Sequence, residues 1–454
     1  MSLPSLNVIL SPSLGGVLAI PFLFVPLVYL LRRWRVGGFL ALVVSLALAY
    51  LIWLVPPQEL RYIFTWPIQF DGVVAYTFTL LCLLLACLFF LSLNVSQGWS
   101  FYPFGLLMLS LLGLAMVNQH LGLRALVMEI AVLVSVFIIQ GGRTGSTRAA
   151  LRFLIMMTLA VPLFLLAAWQ LDQVGDSRDN VPLLMQISLL VGCGFGLWLG
   201  VAPLHGWLNS IAAEAKPGIA AFVLITFPTV AITMLLQLLN QVPWLNNTPQ
   251  ITDVVLQAGL FTALVGGLFA AVQRAFGSLM GYAALFDMGV GLIAVGVGMG
   301  SEQGRTVVLF SLLVRMISLA LIAASMSAIE AGTDGDAFQQ LRGLAKKFPI
   351  PAMGLMVGGL TLAGTPFTAG FVARWMLLQS LSSLPIWWPL AILLAGLGLA
   401  IGYIRGGRSL VEPVTHQTKT GQSRGLNLLI MGLISLCLGL GLFPQAVLQW
   451  IANL

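Results

Sequence analysis

Fourteen long apolar runs follow one another along the chain, parted by charges, prolines and glycine clusters. They fall near 9–31, 36–55, 73–93, 102–118, 121–140, 150–170, 183–204, 217–240, 253–273, 278–299, 305–329, 351–381, 385–405 and 425–447. A helix needs about 20 apolar residues to cross a bilayer. Each run predicts a membrane-spanning helix, and the series predicts an all-α polytopic membrane protein. Only Asn118, Gln119 and His120 part the fourth run from the fifth, and the two together are too long for one crossing. The connections 56–72, 241–252, 330–350 and 406–424 are too short to fold alone. The first run is long enough to be a retained helix rather than a cleaved signal.

Composition narrows the classes further. Of 454 residues, 59% are hydrophobic and 8% charged, against about 25% charged in an ordinary soluble domain. That excludes a secreted disulfide scaffold, a disordered chain and a cytosolic enzyme. The net charge of +7 does not point to nucleic acid, because the bases are scattered through short loops with no basic stripe. Cys82, Cys87, Cys193 and Cys437 sit in apolar runs at spacings that fit neither zinc nor a disulfide framework. No P-loop, dinucleotide fingerprint, haem-attachment motif or paired metal ligands occur, so no cofactor is expected on this chain. GxG strings such as Gly194–Gly196 carry no weight in packed membrane helices.

Loop charge gives orientation. Arg32, Arg33 and Arg35 follow span one, and Arg143 and Arg148 follow span five. Arg342, Lys346 and Lys347 follow span eleven; Arg405, Arg408, Lys419 and Arg424 follow span thirteen. With fourteen spans all these loops share one side, while Asp172, Asp176 and Asp179 lie on the other. The expectation is a bacterial cytoplasmic (inner) membrane protein with basic loops inside and both termini on the non-cytoplasmic side.

A charge held at the bilayer centre costs roughly 2.5–3.5 kcal/mol and marks a functional candidate. Glu129 lies mid-span and is expected deep, with Arg124 and His120 before it. Asp287 is in span ten, Arg315 in span eleven and Arg374 in span twelve, and His205 follows Pro203 at the end of span seven. Each has a structural alternative, an arginine that snorkels or pairs with a carboxylate at a helix interface. That alternative is strongest for Arg124 and evenly matched for Asp287 and Arg274.

Two spans look broken. Span seven reads GVAPLHGWL around Pro203, and span twelve carries Gly364, Pro366 and Gly370 within seven residues. Such breaks survive in lipid only against protein or water. Lying five spans apart, they suggest two inverted five-helix repeats with a pathway at the midplane. The expected units are an N-terminal three-helix segment (1–100), a first repeat of helices four to eight (101–240), a second of helices nine to thirteen (252–405), and a C-terminal helix (424–454).

These motifs resemble a known family. PLHGWL followed by AEAKPGIAAFV resembles its PFHxWL and the downstream Ala/Pro segment. VQRAFGSLMGYAALFDMG is similar to the stretch leading to its AYSSIxHxG. LRGLAKKFPIPAMGLMVGGLTLAGTPFTAGFVARW resembles its GLxxxxP…LAGxPxxxGFxxK, and FTWPIQFDG precedes span three as in the family. Four motifs in order, over roughly residues 60–445, resemble the antiporter-like, proton-translocating membrane subunits of respiratory complex I and its relatives. LAGTPFTAGF is most similar to the N-type subunit (subunit 2).

The resemblance implies a central chain of buried carboxylates, lysines and histidines fed by half-channels. Glu129 matches the helix-five glutamate, Arg315 the helix-eleven lysine, Arg374 the helix-twelve lysine and His205 the PFH histidine. Departures are extensive. Trp198 stands at the helix-seven lysine, and Pro228 lies where the helix-eight lysine would. His120 stands at the aspartate nine before the glutamate, and Asp287 where a histidine is usual. Arginine stays protonated and cannot relay as a desolvated lysine can. The residues therefore leave four readings open: a subunit still conducting protons through Glu129, His205 and water; a non-conducting spacer in the same complex; a component of a multisubunit cation/proton antiporter; and an unrelated solute carrier. The expected function is membrane-arm proton translocation coupled to quinone reduction in an NADH-quinone oxidoreductase, along a degenerate path. NADH or another donor, FMN, iron–sulfur clusters and quinone are expected in partner subunits, and other antiporter-like membrane subunits as neighbours. At Trp198 and Pro228 the flanking Leu197, Leu199, Phe227 and Val230 favour an apolar plug over a water wire held by hydroxyls such as Thr226 and Thr229.

Overall fold

The computed structural model describes residues 13–56, 58–63, 66–142, 146–174, 181–246, 249–298, 302–333, 335–412 and 423–454. Arg143, Asp176, Asp179 and Lys419 lie outside them, as does the start of the first expected span. The helices are α1 (Leu14–Leu30), α2 (Arg35–Leu51), α3 (Gly72–Asn94), α4 (Phe101–Val117), α5 (Leu121–Gly142) and α6 (Thr147–Val174). Next come α7 (Val181–Leu199), α8 (Gly206–Glu214), α9 (Pro217–Gln241), α10 (Pro249–Val272), α11 (Phe276–Gly298) and α12 (Glu302–Glu330). The chain ends with α13 (Pro349–Ala363), α14 (Ala369–Ser380), α15 (Trp387–Val411), α16 (Arg424–Leu442) and the short α17 (Gln445–Ala452). Eleven of these helices are long and apolar enough to cross a membrane alone; α1, α4 and α13 are shorter apolar helices. The eleven mark an integral membrane protein, and with the three shorter apolar helices, α14 continuing α13, they match in number the fourteen expected spans.

Local chemistry explains the starts. Ser13 Oγ accepts from Gly16 N at 3.1 Å at the head of α1, and Asp71 Oδ1 accepts from Val74 N at 2.8 Å at the head of α3. Proline opens α9 and α13, where its missing N–H costs nothing. α9, α11 and α12 are buried along nearly their whole length, whereas the bilayer-facing α1, α2 and α16 leave many apolar side chains exposed.

The structure adds a strand pair to the all-α expectation and moves one span boundary. The 56–72 connection carries a two-stranded antiparallel hairpin, β1 (Gln58–Ile63) and β2 (Trp66–Phe70). It is anchored from outside: Gln119 N donates to Pro67 O at 2.8 Å and Ile68 bridges Asn118. A segment too short for its own core thus borrows the α4–α5 turn. The broken span expected over 351–381 is two helices, α13 and α14, while the thirteenth span continues past the expected 405 to Val411.

The ends of the helices sort into two faces. On the basic face, Lys216 Nζ donates to Ser96 O at 2.6 Å, Gln97 Nε2 to Ser327 Oγ at 3.4 Å and Ser423 Oγ to Asn94 Oδ1 at 2.6 Å. Gly343 N donates to Ser409 O at 3.3 Å on the same face. Arg32, Arg33, Arg148, Arg342, Lys346, Lys347 and Arg408 belong to these loops and helix ends. The opposite face holds the hairpin, the α4–α5 turn and the last residue, Leu454, against Gly72. The expected one-sided placement of the basic loops is met by the residues described.

Candidate functional site

Both expected breaks are present. In the first, α7 stops at Leu199 and α8 starts at Gly206, with Gly200 at φ +64°. The freed groups find partners: Thr262 Oγ1 on α10 accepts from Ala202 N at 3.1 Å, and Trp207 Nε1 donates to Leu197 O at 3.2 Å. In the second, Gly364 at φ +85° ends α13, and α14 begins at Ala369. Pro366 sits exposed in that gap, and Pro203 in the first. Gly370 packs so closely that a Cβ would sit 1.6 Å from Thr361 O. Although both prolines are exposed, backbone groups freed at the breaks find partners within the protein, as apolar surroundings demand.

The second break meets a cluster of buried charges. Asp287 on α11 is 5% exposed, Arg315 on α12 is 1% and Arg374 on α14 is 7%. Arg315 Nη1 donates to Asp287 Oδ2 at 3.0 Å, and Arg374 Nη2 to Asp287 Oδ1 at 2.8 Å. One carboxylate thus lies between two guanidiniums, a net charge of +1 inside the bundle. Backbone packing aims it there. A Cβ on Gly266 of α10 would meet Phe286 N at 2.4 Å, and one on Gly289 would meet Ala263 N at 2.3 Å. The Phe286–Gly289 stripe therefore presses on α10, and Asp287 turns toward α12 and α14.

Broken backbone supplies the remaining acceptors. Arg374 Nη2 donates to Leu362 O at 3.1 Å, an orphan carbonyl at the end of α13. Its positive charge also suits the negative end of that helix. Arg315 Nη2 donates to Leu224 O on α9 at 2.9 Å. Leu224 is four residues before Pro228, whose missing N–H leaves this carbonyl without its helical donor. The sequence anticipates a freed carbonyl; the structure gives it an arginine from another helix.

Polar openings continue on both sides of this triad. Arg315 Nε, Arg374 Nε, Ser318 Oγ, Ser325 Oγ and Tyr403 OH are buried without a hydrogen-bond partner among the described residues. The two serines follow Arg315 along α12 toward the basic face and suit ordered water. Toward the other face, one turn beyond Arg374, a cavity of about 180 Å³ is lined by Ala294, Val297, Gly304, Val307, Leu377 and Ser380.

The first break is surrounded by aromatic rings instead. Trp198 is 1% exposed, with its ring centroid 4.3 Å from Phe164 and its Nε1 donating to Met157 O at 3.4 Å. Phe153 lies 5.0 Å from Phe227 and 5.4 Å from Trp207. Thr226 Oγ1 is turned back onto Phe222 O at 2.8 Å, while Thr229 Oγ1 is buried without a partner among the described residues. His205 is half-buried, its ring 6.4 Å from Tyr282 and its Nδ1 buried without a partner among the described residues.

Glu129 departs from the expectation of deep burial. It is half-buried, accepting from Thr158 Oγ1 on α6 at 2.7 Å. On α5 it sits between buried Met128 and exposed Ile130, at the margin of the bundle. Thr158, missed from sequence, is readable only as a lone hydroxyl in an apolar run. His120 lies on the face opposite the basic one, with Nε2 3.8 Å from Asp172 Oδ2. Arg124 is fully buried, donating to Asn118 O, to Gln119 Oε1 at 2.7 Å and to Gln237 Oε1 at 2.9 Å, and so ties the α4–α5 turn to α9. Asp287, Arg315 and Arg374 are brought together; among the described residues no contact joins Glu129, His205 or His120 to them.

Comparisons with known proteins agree with this architecture. Formate hydrogenlyase subunit 3 of Escherichia coli K12 is 30% identical over 59% of this chain and 46% of its own length. NADH-quinone oxidoreductase subunit N of Ectopseudomonas mendocina is 28% identical over 59% of this chain and 56% of its own. The chain thus spans about half the length of the curated relatives it matches. Among solved structures, a chain of the Mrp complex from Dietzia sp. DQ12-45-1b superposes with a TM-score of 0.85 at 18% identity, over 99% of this chain and 97% of that one. A chain of respiratory complex I from Thermus thermophilus gives 0.79 at 22% identity, over 95% and 98%. Residues 119–400, more than half of the chain, match the family model described as NADH:quinone oxidoreductase/Mrp antiporter, TM. This chain belongs to that family of antiporter-like membrane subunits.

Proposed function

We propose that this protein is a membrane-arm subunit of a complex I-type NADH-quinone oxidoreductase, contributing to proton translocation coupled to quinone reduction along a degenerate path. The observation that carries the proposal is the buried Arg315–Asp287–Arg374 triad at a broken helix of a family member. It keeps charge at the family's axis, but its two arginines hold rather than relay protons. The protonatable groups left for transfer are Glu129, His205 and water beside the unpartnered hydroxyls. This chain carries no redox step; NADH or another donor, FMN, iron–sulfur clusters and quinone would belong to partner subunits. The expected units 1–100, 101–240, 252–405 and 424–454 fit this reading, with the two repeats meeting where Arg315 grips α9.

Purification from native membranes through a tag at Leu454 tests the assembly. Recovery of quinone-reducing and iron–sulfur subunits supports the proposal, and recovery of small exchanger subunits without redox centres supports a cation/proton antiporter. A second reading, the non-conducting spacer in the same complex, is favoured by the aromatic packing around Trp198. The basic face would lie in the cytoplasm of a bacterium, with both termini outside. A membrane-impermeant reagent should then label a cysteine tag at Leu454 in intact cells, and protection of that tag would reverse the orientation.

A further inference from the structure

A second arginine cluster lies on the basic face, in the crevice between the α1–α2 turn and the α3–α4 turn. An open cavity of about 520 Å³ is lined there by Arg32, Arg33, Ser96, Gly98, Trp99 and Tyr102, with no carboxylate among them. The Arg32 guanidinium carbon sits 3.9 Å from the Tyr29 ring centroid and 5.0 Å from that of Trp99. Its Nη1 is buried and has no hydrogen-bond partner among the described residues. An arginine that merely snorkels would have that nitrogen in water. The floor is rigid: Gly98 has φ +136°, a Cβ on it would lie 2.5 Å from Gly141 O, and Ser100 Oγ donates to Phe137 O at 2.9 Å. Ser96 O, on the crevice wall, accepts from Lys216 Nζ at 2.6 Å. Beside the crevice, α1 and α2 leave Leu30, Val36 and Phe39 exposed by 80%, 58% and 61%, with Trp34 at their turn 67% exposed.

We propose that this crevice binds the phosphate headgroup of an anionic phospholipid, whose acyl chains lie along the exposed apolar faces of α1 and α2. Guanidiniums match phosphate geometry with two donors each. Trp and Tyr rings favour the headgroup level. A cluster of bases beside membrane helices on the basic face suits an anionic leaflet. Free phosphate shares the headgroup chemistry but would gain nothing from the apolar wall.

Native mass spectrometry of the intact assembly, with phosphatidylglycerol titrated in, tests this. Wild type should retain phosphatidylglycerol over phosphatidylcholine. R33Q should weaken the retained lipid about fivefold and R32Q/R33Q about thirtyfold, while R408Q, on the same face but outside the crevice, changes nothing. R33Q removes an exposed side chain, so it guards against misfolding of the double variant. Equal retention by wild type and R32Q/R33Q overturns the site. Full displacement by inorganic phosphate at the lipid's own concentration overturns a lipid as the occupant.

Discussion

At the scale of single residues, two buried guanidiniums meet one carboxylate, which offsets their charge only in part. Asp287 is the one carboxylate between two buried guanidiniums, so removing its charge leaves both uncompensated. Breaking such a buried pair from one side costs about 3–5 kcal/mol. Asp287→Asn should therefore sharply lower the amount of folded subunit, read as its level in membranes and the melting temperature of the purified assembly. Replacing all three by apolar residues of similar volume, Asp287→Leu with Arg315→Met and Arg374→Met, should restore most of that stability. If the single variant melts like wild type, the triad is not a stability determinant. Glu129 behaves differently, because its Oε1 meets only Thr158 and its position is marginal. Glu129→Gln keeps an acceptor for Thr158 and should leave assembly unchanged while lowering the protons moved per electron. Unchanged stoichiometry in a well-assembled variant would remove Glu129 from the path and favour the spacer reading.

At the scale of elements, the two broken helices decide what each half of the bundle can do. Gly370 lets α14 pack directly on Thr361 O, and Gly364 takes a left-handed turn with Arg374 Cγ 2.7 Å from where its Cβ would be. Gly370→Ala must push these helices apart, which overpacking data place at about 1–3 kcal/mol. The expected outcome is a lower melting temperature together with slower coupled proton transfer, since Arg374 rides on the displaced helix. A variant with wild-type melting and turnover would show that the close approach is dispensable. Much of this level was legible in the chain. Proline and glycine marked both breaks, three polar residues marked the α4–α5 turn, and Pro228 marked a freed carbonyl. Apolar length did not reveal the hairpin, because its anchor is Asn118 and Gln119, over fifty residues on. Nor did it show that Glu129 sits at the margin, since an apolar run tells how far a residue is from the ends of a helix but not which side faces its neighbours. The pairing of Asp287 with two arginines, each seen separately in sequence, needed the fold.

At the scale of the whole molecule, the halves are unlike. Around Asp287 the interior offers charge, hydroxyls without a partner among the described residues and a cavity toward the face opposite the basic one; around Trp198 it offers Phe153, Phe164, Phe195, Trp207 and Phe227. An indole can donate one hydrogen bond, here to Met157 O, but cannot accept and pass on a proton. Pro228 offers water no carbonyl here, because the one it frees accepts from Arg315 Nη2. Trp198 is therefore the side chain whose removal should matter most to tightness. Trp198→Ala would leave a cavity and cost about 3–5 kcal/mol if the neighbours do not collapse into it. The void would adjoin Met157 O, released by the lost indole, and Thr229 Oγ1 on the same half has no partner among the described residues, so polar anchors for water exist. In proteoliposomes the variant assembly should dissipate an imposed pH gradient faster than wild type, while its protons moved per electron stay level or fall. Trp198→Phe, which keeps most of the volume and loses only the N–H, should remain tight. A Trp198→Ala assembly that is fully folded and as tight as wild type would show that the barrier to protons does not lie at this aromatic layer.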